Sequence, residues 1–374
     1  MFNWPNETID GTDPFNCTTN TSVPDAIASP EFQTLIFFAY SLIFLIAVIG
    51  NLAVFLAVTL LPRMQTVTNF FIANLALGDM LMAVFCIPFS FVSILILQYW
   101  PFGTPLCHLV NYSQAISVLV SAYTMIVISA DRFLAIMWPL KPRFSKRTAK
   151  ISILLIWIGA LLTAAPILVF TSLIQPTEYH DQCDLAICTE VWPDEHSDWL
   201  YSIILITLQF IVPLIVLIFT YALIARKIWA KTPLGESIKQ RERQILHSKR
   251  KIIKMMITVV LVFIVCWLPF NIFMLLPLHP DWPPLPYLWF LVHWLAMSHS
   301  CYNPLIYCFM NEKFRQGFQH LAMAGVGRCC PWALVVARRR KRSTGSNVTE
   351  MLELYPPSET NTMLSYVSEG GFDQ

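Results

Sequence analysis

Residues 34–61 read TLIFFAYSLIFLIAVIGNLAVFLAVTLL, an apolar run with no Asp, Glu, Lys or Arg in it. A hydrocarbon core about 30 Å thick needs about 20 such residues in helical form, so this stretch reads as a membrane span. Six more runs follow, at roughly 69–97, 104–137, 149–172, 199–229, 252–277 and 284–309. None alternates strictly between apolar and polar residues, as a barrel strand must. The chain of 374 residues is 56% hydrophobic and only 13% charged, against about 25% charged in a soluble domain, which argues against a large soluble helical protein. Aromatic side chains gather near the ends of several runs (Tyr99, Trp100 and Phe102; Trp192 and Trp199; Trp282 and Tyr287), where interfacial belts lie. The expected fold class is all-α, a bundle of seven transmembrane helices.

Charge sets the orientation. All 25 Lys and Arg lie in the segments after runs one, three, five and seven, or at the adjoining ends of those runs. The positive-inside rule then places the N-terminus outside and the C-terminus in the cytoplasm. The first residues, MFNWPNETIDG, lack a basic n-region and an apolar h-region, so the first span is expected to act as its own insertion signal. Sequons at Asn6, Asn16 and Asn20 fit glycosylation on the outer side. A fourth, at Asn111, lies a turn inside the third run and reads as structural; Asn347 is cytoplasmic by this topology and is expected to be unmodified. Cys17, Cys107, Cys183 and Cys188 fall outside, where disulfides persist, and four cysteines allow three pairings. Cys86, Cys266, Cys301 and Cys308 lie within spans as free thiols.

Ionisable and polar residues inside spans are costly and mark function. Asp79 sits mid-span, and Asn51, Ser121 and Asn303 lie at comparable depth, so the four can form one polar pocket. Pro88, Pro166, Pro213, Pro269 and Pro304 interrupt five spans and bend them. At the end of the third span an acid and a base stand side by side, Asp131 and Arg132, before the basic stretch KPRFSKR. On the outer side Glu7, Asp10, Asp13, Asp25, Glu31, Glu178, Asp181, Asp184, Glu190, Asp194, Glu195, Asp198 and Asp281 make thirteen acids against no Lys or Arg. Such a one-sign field steers a basic ligand.

Other classes fit less well. A transporter or channel is expected to show internal repeats, and none is seen. An enzyme is not expected: no HExxH, GxSxG or paired His/Asp motif stands in the spans, and His293 and His299 are not at zinc-motif spacing. A light sensor needs a buried Lys in the seventh span, which has none. A signal-transducing receptor remains.

The motifs carry a resemblance. Gly50-Asn51, LALGD ending at Asp79, Trp100 in WPFG, Cys107, Trp157, Pro213, Tyr221, CWLP at Cys266 to Pro269 and NPLIY at Asn303 to Tyr307 follow in order. The chain resembles rhodopsin-like (class A) G-protein-coupled receptors over roughly 34–330, with DRF at Asp131 to Phe133 in place of the family's D-R-Y. The resemblance implies that Asp131 holds Arg132 in the resting state and that Arg132 turns to the G protein when the sixth helix swings outward. Leu140 becomes the apolar contact of the second inner loop, and Tyr221, Asn303, Pro304 and Tyr307 serve the switch. Asp79, Asn51, Ser121 and Asn303 match the family's sodium and water pocket, so no cofactor is implied beyond an allosteric sodium ion. Residues 312–321, EKFRQGFQHL, suit a short amphipathic eighth helix with Phe314 and Phe318 on one face, followed by palmitoylation at Cys329 and Cys330.

Within that family the chain is similar to the neuropeptide Y-like branch and, more narrowly, to invertebrate RYamide and luqin receptors, through VNYSQAISVLVSAYT, MWPLKPR, WAKTPLGE and HWLAMSHSCYNP. Gln114 stands where amine receptors carry Asp. Gln114, Gln209 and His293, with Trp267, are the implied ligand-pocket residues. CTEVWP at Cys188 favours a Cys107–Cys188 bridge and leaves Cys17 to pair with Cys183. The branch's Asp at the top of the sixth helix is Leu278 here, and Met274 replaces an Asn, so the partner of a ligand arginine stays open among Asp281, Glu190 and neighbouring acids. The resemblance implies a plasma-membrane receptor for an amidated peptide, coupled to a heterotrimeric G protein and to arrestin, in contact with membrane lipid and with no nucleic acid. The alternative is a receptor for another neuropeptide Y/F-like or tachykinin-like peptide. The implied organisation is an outer glycosylated tail (1–33), the seven-span domain (34–310), the eighth helix with its palmitoylation region (311–330) and a disordered cytoplasmic tail (331–374).

Overall fold

Helix α1 (Pro30–Leu60) starts where Ser29 accepts a hydrogen bond from the Phe32 amide and proline fills the first helical position. Both devices reduce the count of orphan amides at a helix start. The computed structural model describes residues 29–97, 99–138, 140, 144–176, 178–230, 240–276, 282 and 284–329. A single 3₁₀ turn, Pro62–Met64, leads to α2 (Val67–Leu81), capped by Thr66. A π-helical turn at Met82–Cys86 joins α2 to α3 (Ile87–Phe91), and a second follows at Val92–Leu97. The long α4 (Gly103–Met137) and α5 (Lys146–Phe170) come next.

Between α5 and the following span, β1 (Thr171–Ile174) pairs antiparallel with β2 (Ile187–Glu190), with Leu173 opposite Cys188. The short α6 (Glu178–Gln182) lies between the strands. This hairpin adds to the all-α architecture an element that four-residue strands do not announce in sequence. Helix α7 (Glu195–Ile206), capped by Asp194, continues through a π turn at Thr207–Ile211 into α8 (Val212–Ala230). Last come α9 (Gln240–Leu275), α10 (Leu285–Met310) and α11 (Glu312–Cys329). The chain divides into two compact units, Met1–Phe318 and Gln319–Gln374; the described part of the second is the end of α11.

Among the described residues, six helical stretches are long and apolar enough to cross a membrane: Pro30–Leu60, Val67–Phe91, Gly103–Met137, Lys146–Phe170, Glu195–Ile228 and Arg250–Leu275. The seventh expected span, α10, has 26 residues and no Asp, Glu, Lys or Arg. His293, Ser298, His299, Ser300 and Asn303 dilute its apolarity, and all five are buried among neighbouring helices. Helix α9 begins twelve residues before the apolar run that announced it, because Gln, Arg, Glu and Lys are good helix formers that hydropathy does not register.

Helix α4 is the axis. It packs on α2, α5, α8 and the first π turn, and β1 lies against its outer end. In its most apolar stretch 72% of residues are buried, against 22% in α5, so α5 spends most of its surface on lipid. Helix α10 packs between α9 and α1. At that seam Gly50 meets Pro304: a Cβ built on Gly50 would lie 2.8 Å from the proline Cβ and 2.9 Å from its Cγ. Gly103, with φ at 78°, opens α4 in a conformation that favours glycine, and its carbonyl accepts the Trp100 indole N–H at 2.9 Å. Gly50→Val should lower the thermal midpoint of the solubilised protein by the equivalent of about 1–3 kcal/mol, the usual cost of overpacking, as read by a thiol-reactive unfolding dye; an unchanged midpoint would show that α1 and α10 yield there.

Candidate functional site

At the outer end, Cys107 at the start of α4 is bonded to Cys188 in β2 across a sequence separation of 81. The Trp100 amide donates to Ala186 O at 2.7 Å, and Asn111 Nδ2 reaches Cys107 O at 3.2 Å and Cys188 Sγ at 3.1 Å. Asn111 is thereby structural, as its depth suggested. Cys183 is also disulfide-bonded; its expected partner Cys17 lies outside the described residues, as do Asn6, Asn16, Asn20 and Asp281. The hairpin is thus fixed over the outer ends of the helices.

Glu190, the last residue of β2, is half-buried, and its Oε2 accepts the Trp192 indole N–H at 3.0 Å. Burial pushes its carboxyl above the ordinary carboxylate range; the Trp192 hydrogen bond works against that, and the nearby Asp198 charge adds to it. Burial likewise lowers His180.

Gln114 on α4 and Gln209 in the π turn before α8 are half-buried, and neither side-chain amide has a hydrogen-bond partner among the described residues. His293 is placed differently from a plain ligand contact. Its Nδ1 shares a hydrogen bond with the Tyr40 hydroxyl at 2.7 Å, and its ring stacks on Trp289 at 4.5 Å. It ties α1 to α10 and is buried. Tyr40 was not singled out from sequence, where it is one aromatic among many in an apolar run.

In the middle of the bundle, Asp79 Oδ2 accepts from Asn303 Nδ2 at 2.8 Å, and Asp79 Oδ1 accepts from the Ser121 hydroxyl at 3.4 Å. Asn51 does not touch Asp79; its Nδ2 donates to Ala47 O at 2.9 Å and Ser300 O at 2.7 Å. Sequence reasoning missed His299, whose Nδ1 lies 3.9 Å from Asp79 Oδ1. The His299 ring stands edge-on to Phe263 at 5.3 Å and 6.4 Å from Trp267. Asn51 Oδ1, Asn303 Oδ1, His299 Nε2 and Trp267 Nε1 are buried without a hydrogen-bond partner. An orphan amide oxygen on Asn303, whose Nδ2 bonds the buried Asp79 carboxylate, is a group that water can satisfy.

At the inner end Asp131 Oδ2 is a three-way acceptor. Arg132 Nη2 donates at 2.6 Å, Arg132 Nε at 3.1 Å, and the Thr68 hydroxyl of α2 at 3.2 Å. Arg132 Nη2 also donates to Thr68 Oγ1. Thr68 gave no sign in sequence, because its role comes only from α2 crossing α4. Tyr221 and Tyr307 are buried nearby and line a narrow apolar cleft with Leu75, Met125, Ile128, Met256, Val259 and Val260. Pro304 is buried one turn above Tyr307.

Around this end, Lys227 Nζ donates to Met137 O at 2.8 Å, and Lys251 on α9 pairs with Glu312 on α11 at 2.8 Å. The Lys251 hydrogen bond and charge, with Arg315, hold the exposed Glu312 carboxyl below its usual range. Leu140 is fully exposed. Phe314 is buried and stacks on Tyr307 at 5.3 Å, with Phe318 at 6.0 Å from Phe314. The side chain of Cys329 and the whole of Cys330 lie outside the described residues.

The sequence model of the family described as 7 transmembrane receptor (rhodopsin family) matches residues 50–307. The chain is 50% identical over 351 residues to the RYamide receptor of Drosophila melanogaster, covering 92% of this chain and 74% of that protein. It is 47% identical over 306 residues to the RYamide receptor of Tribolium castaneum, covering 80% and 83%. Over 326 residues it is 35% identical to the substance-P receptor of Homo sapiens, covering 85% and 77%.

The polar centre makes its own prediction. Asn303→Ala removes the best donor to the buried Asp79 carboxylate, and stranding such a group costs about 1–3 kcal/mol or more. The thermal midpoint of the solubilised protein should fall accordingly, and the additional change Asp79→Asn should recover part of the loss; additive losses would mean that the two side chains act separately.

Proposed function

The chain belongs to the rhodopsin family of seven-transmembrane receptors, and from that premise we propose that it is a G-protein-coupled receptor for a short amidated neuropeptide ending in Arg-Tyr-amide or Arg-Phe-amide. The observation that carries the ligand class is its half-identity, across nearly the whole chain, to a receptor named for RYamide. The outer acids support the same reading, because they draw a cationic peptide and repel a free C-terminal carboxylate. A tachykinin-like ligand rests on a weaker likeness.

The peptide enters from outside beneath the stapled hairpin. Gln114 and Gln209 offer amide groups to its backbone or C-terminal amide, His293 closes the α1–α10 side, and Trp267 forms the floor. Trp267 is the link inward: its ring neighbours include Phe263 and His299, and His299 stands beside Asp79. A sodium ion in this layer would be held by Asp79, Ser121 and Asn303, with Asn51 Oδ1 as a further oxygen, and would neutralise the buried carboxylate. His299 crowds one side of that carboxylate with nitrogen rather than oxygen.

At the inner end the resting state keeps Arg132 on Asp131 and Thr68. Signalling requires α9 to part from α10 and α8, opening the apolar cleft beneath Tyr221 and Tyr307 and releasing Arg132 toward the G protein. Leu140 supplies the exposed apolar contact of the second inner loop. A ligand shifts this equilibrium by its differential affinity for the two states. The reading places the protein in the plasma membrane with its N-terminus outside. Helix α11, acylated at Cys329 and Cys330, lies on the inner lipid surface, and arrestin is a second cytoplasmic partner.

The test is a calcium and cyclic-AMP assay in cells expressing the chain. An Arg-Tyr-amide peptide should activate it, the free-acid form should be at least about tenfold weaker because a carboxylate is costly to bury, and equal potency would count against the reading. Asp131→Asn should raise ligand-free signalling and Arg132→Ala should reduce coupling with peptide binding retained. A shift of about 1.4 kcal/mol changes the minor-state population tenfold, so basal output at matched surface expression is the measurement. Parental behaviour in both variants would show that the pair is only a solvated helix end.

A further inference from the structure

Glu190 carries a charge that the chain does not neutralise. Side chains alternate along β2, so Glu190 shares a face with Cys188, and Cys188 is bonded to the outer end of α4. The carboxylate is held at the edge of an aromatic cluster. The Trp192 indole donates to it at 3.0 Å, and the Trp192 ring lies 4.3 Å from Phe170 and 4.8 Å from Tyr201. Tyr201 is anchored by its own hydroxyl, which donates to Thr163 O at 3.0 Å. Asp198, on the first turn of α7, adds a second negative charge close by.

The matching positive charge is missing from this side of the membrane. Residues 1–62, 64–131, 151–225 and 255–312 contain no Lys or Arg, and among the described residues no basic side chain pairs with Glu190. A half-buried carboxylate without a counter-charge is costly, and a single indole N–H is poor compensation. A guanidinium offers what is lacking: a planar fork for the carboxylate and a flat cationic face for the rings beside it.

We propose that Glu190, with Trp192 and Tyr201, is the seat of the ligand's arginine, and that it selects guanidinium over ammonium or a neutral side chain. The inference rests on the peptide-receptor reading above and deepens it: Glu190, one of the acids left open by the sequence, is held half-buried against an aromatic cluster.

The experiment uses the full-length receptor in cell membranes and three probes: an amidated peptide ending in Arg-Tyr-amide, and the same peptide with that arginine replaced by lysine or by citrulline, an uncharged isostere. On the parent, potency should fall from arginine to lysine to citrulline, with an arginine-to-citrulline ratio of at least about 30-fold, as for a desolvated charge pair. In Glu190→Gln the ratio should collapse to within about threefold, while Asp281→Asn keeps it. Trp192→Phe, which keeps a ring and deletes the N–H, should reduce the ratio without abolishing it.

A ratio that survives Glu190→Gln overturns the proposal, and so does an equal loss for both peptides, which marks Glu190 as merely structural. If Glu190→Gln does not reach the surface, Glu190→Asp decides: the arginine peptide should lose at least about tenfold and the citrulline peptide little, and equal responses overturn it. Failure of all three peptides on the parent is a different result; it removes the peptide reading itself, and this inference with it.

Discussion

Hydrocarbon offers no hydrogen-bond partner to a peptide group, so a chain that crosses it must satisfy its own backbone. Helices follow from that constraint, and so does the distribution of everything polar. Side chains that would be costly against lipid are gathered inside the bundle and bonded to one another: Trp157 to Asn74 and Asn74 to Thr124 between α5, α2 and α4, and Asn303 to Asp79 between α10 and α2. These pairs tie helices that apolar packing alone would leave free to slide. Among the described residues, six buried side-chain atoms lack a hydrogen-bond partner, and four of them belong to Asn51, Asn303, His299 and Trp267.

Charge is sorted by the same membrane. The loops at one end of the bundle keep acids and those at the other keep bases, the kind of separation that orients a chain during insertion. At the acidic end, Glu190 has no basic side chain paired with it among the described residues. Inside, lysines close onto helix ends, Lys227 onto the Met137 carbonyl and Lys251 onto Glu312. The Asp131–Arg132 pair is the exception within the inner set, because its acid is buried and shared with Thr68. An exposed pair such as Lys251–Glu312 adds little to stability, whereas a partly desolvated one resists rearrangement until another partner is offered.

The spans were legible because their length is imposed by an outside dimension, the bilayer. What the bilayer does not dictate was less so. The start of α9 lay hidden in a charged stretch whose helicity comes from propensity, and the β1–β2 hairpin consists of strands too short to carry a pattern. Asp79, Asn303 and Asp131 stood out as polar residues where polarity is expensive. Their companions did not: Thr68, Tyr40 and His299 owe their roles to which helix lies beside them, and that is decided by packing over long sequence separations. The Cys107–Cys188 bridge could be favoured over its rivals only through family likeness, because cysteine positions alone left three pairings open.

The π turns at Met82–Cys86 and Thr207–Ile211, each just before a proline, have a consequence for how the protein changes over generations. An α-helix advances about 100° per residue, so each extra residue in such a turn rotates everything outward of it by that amount relative to the cytoplasmic half. The two halves of these spans are therefore out of phase with each other. Substitutions can remodel the half-buried face on the outward side of such a turn without disturbing the buried stripe that packs around Tyr221 below it. Ligand choice and effector coupling are thereby separately heritable traits within one continuous rod.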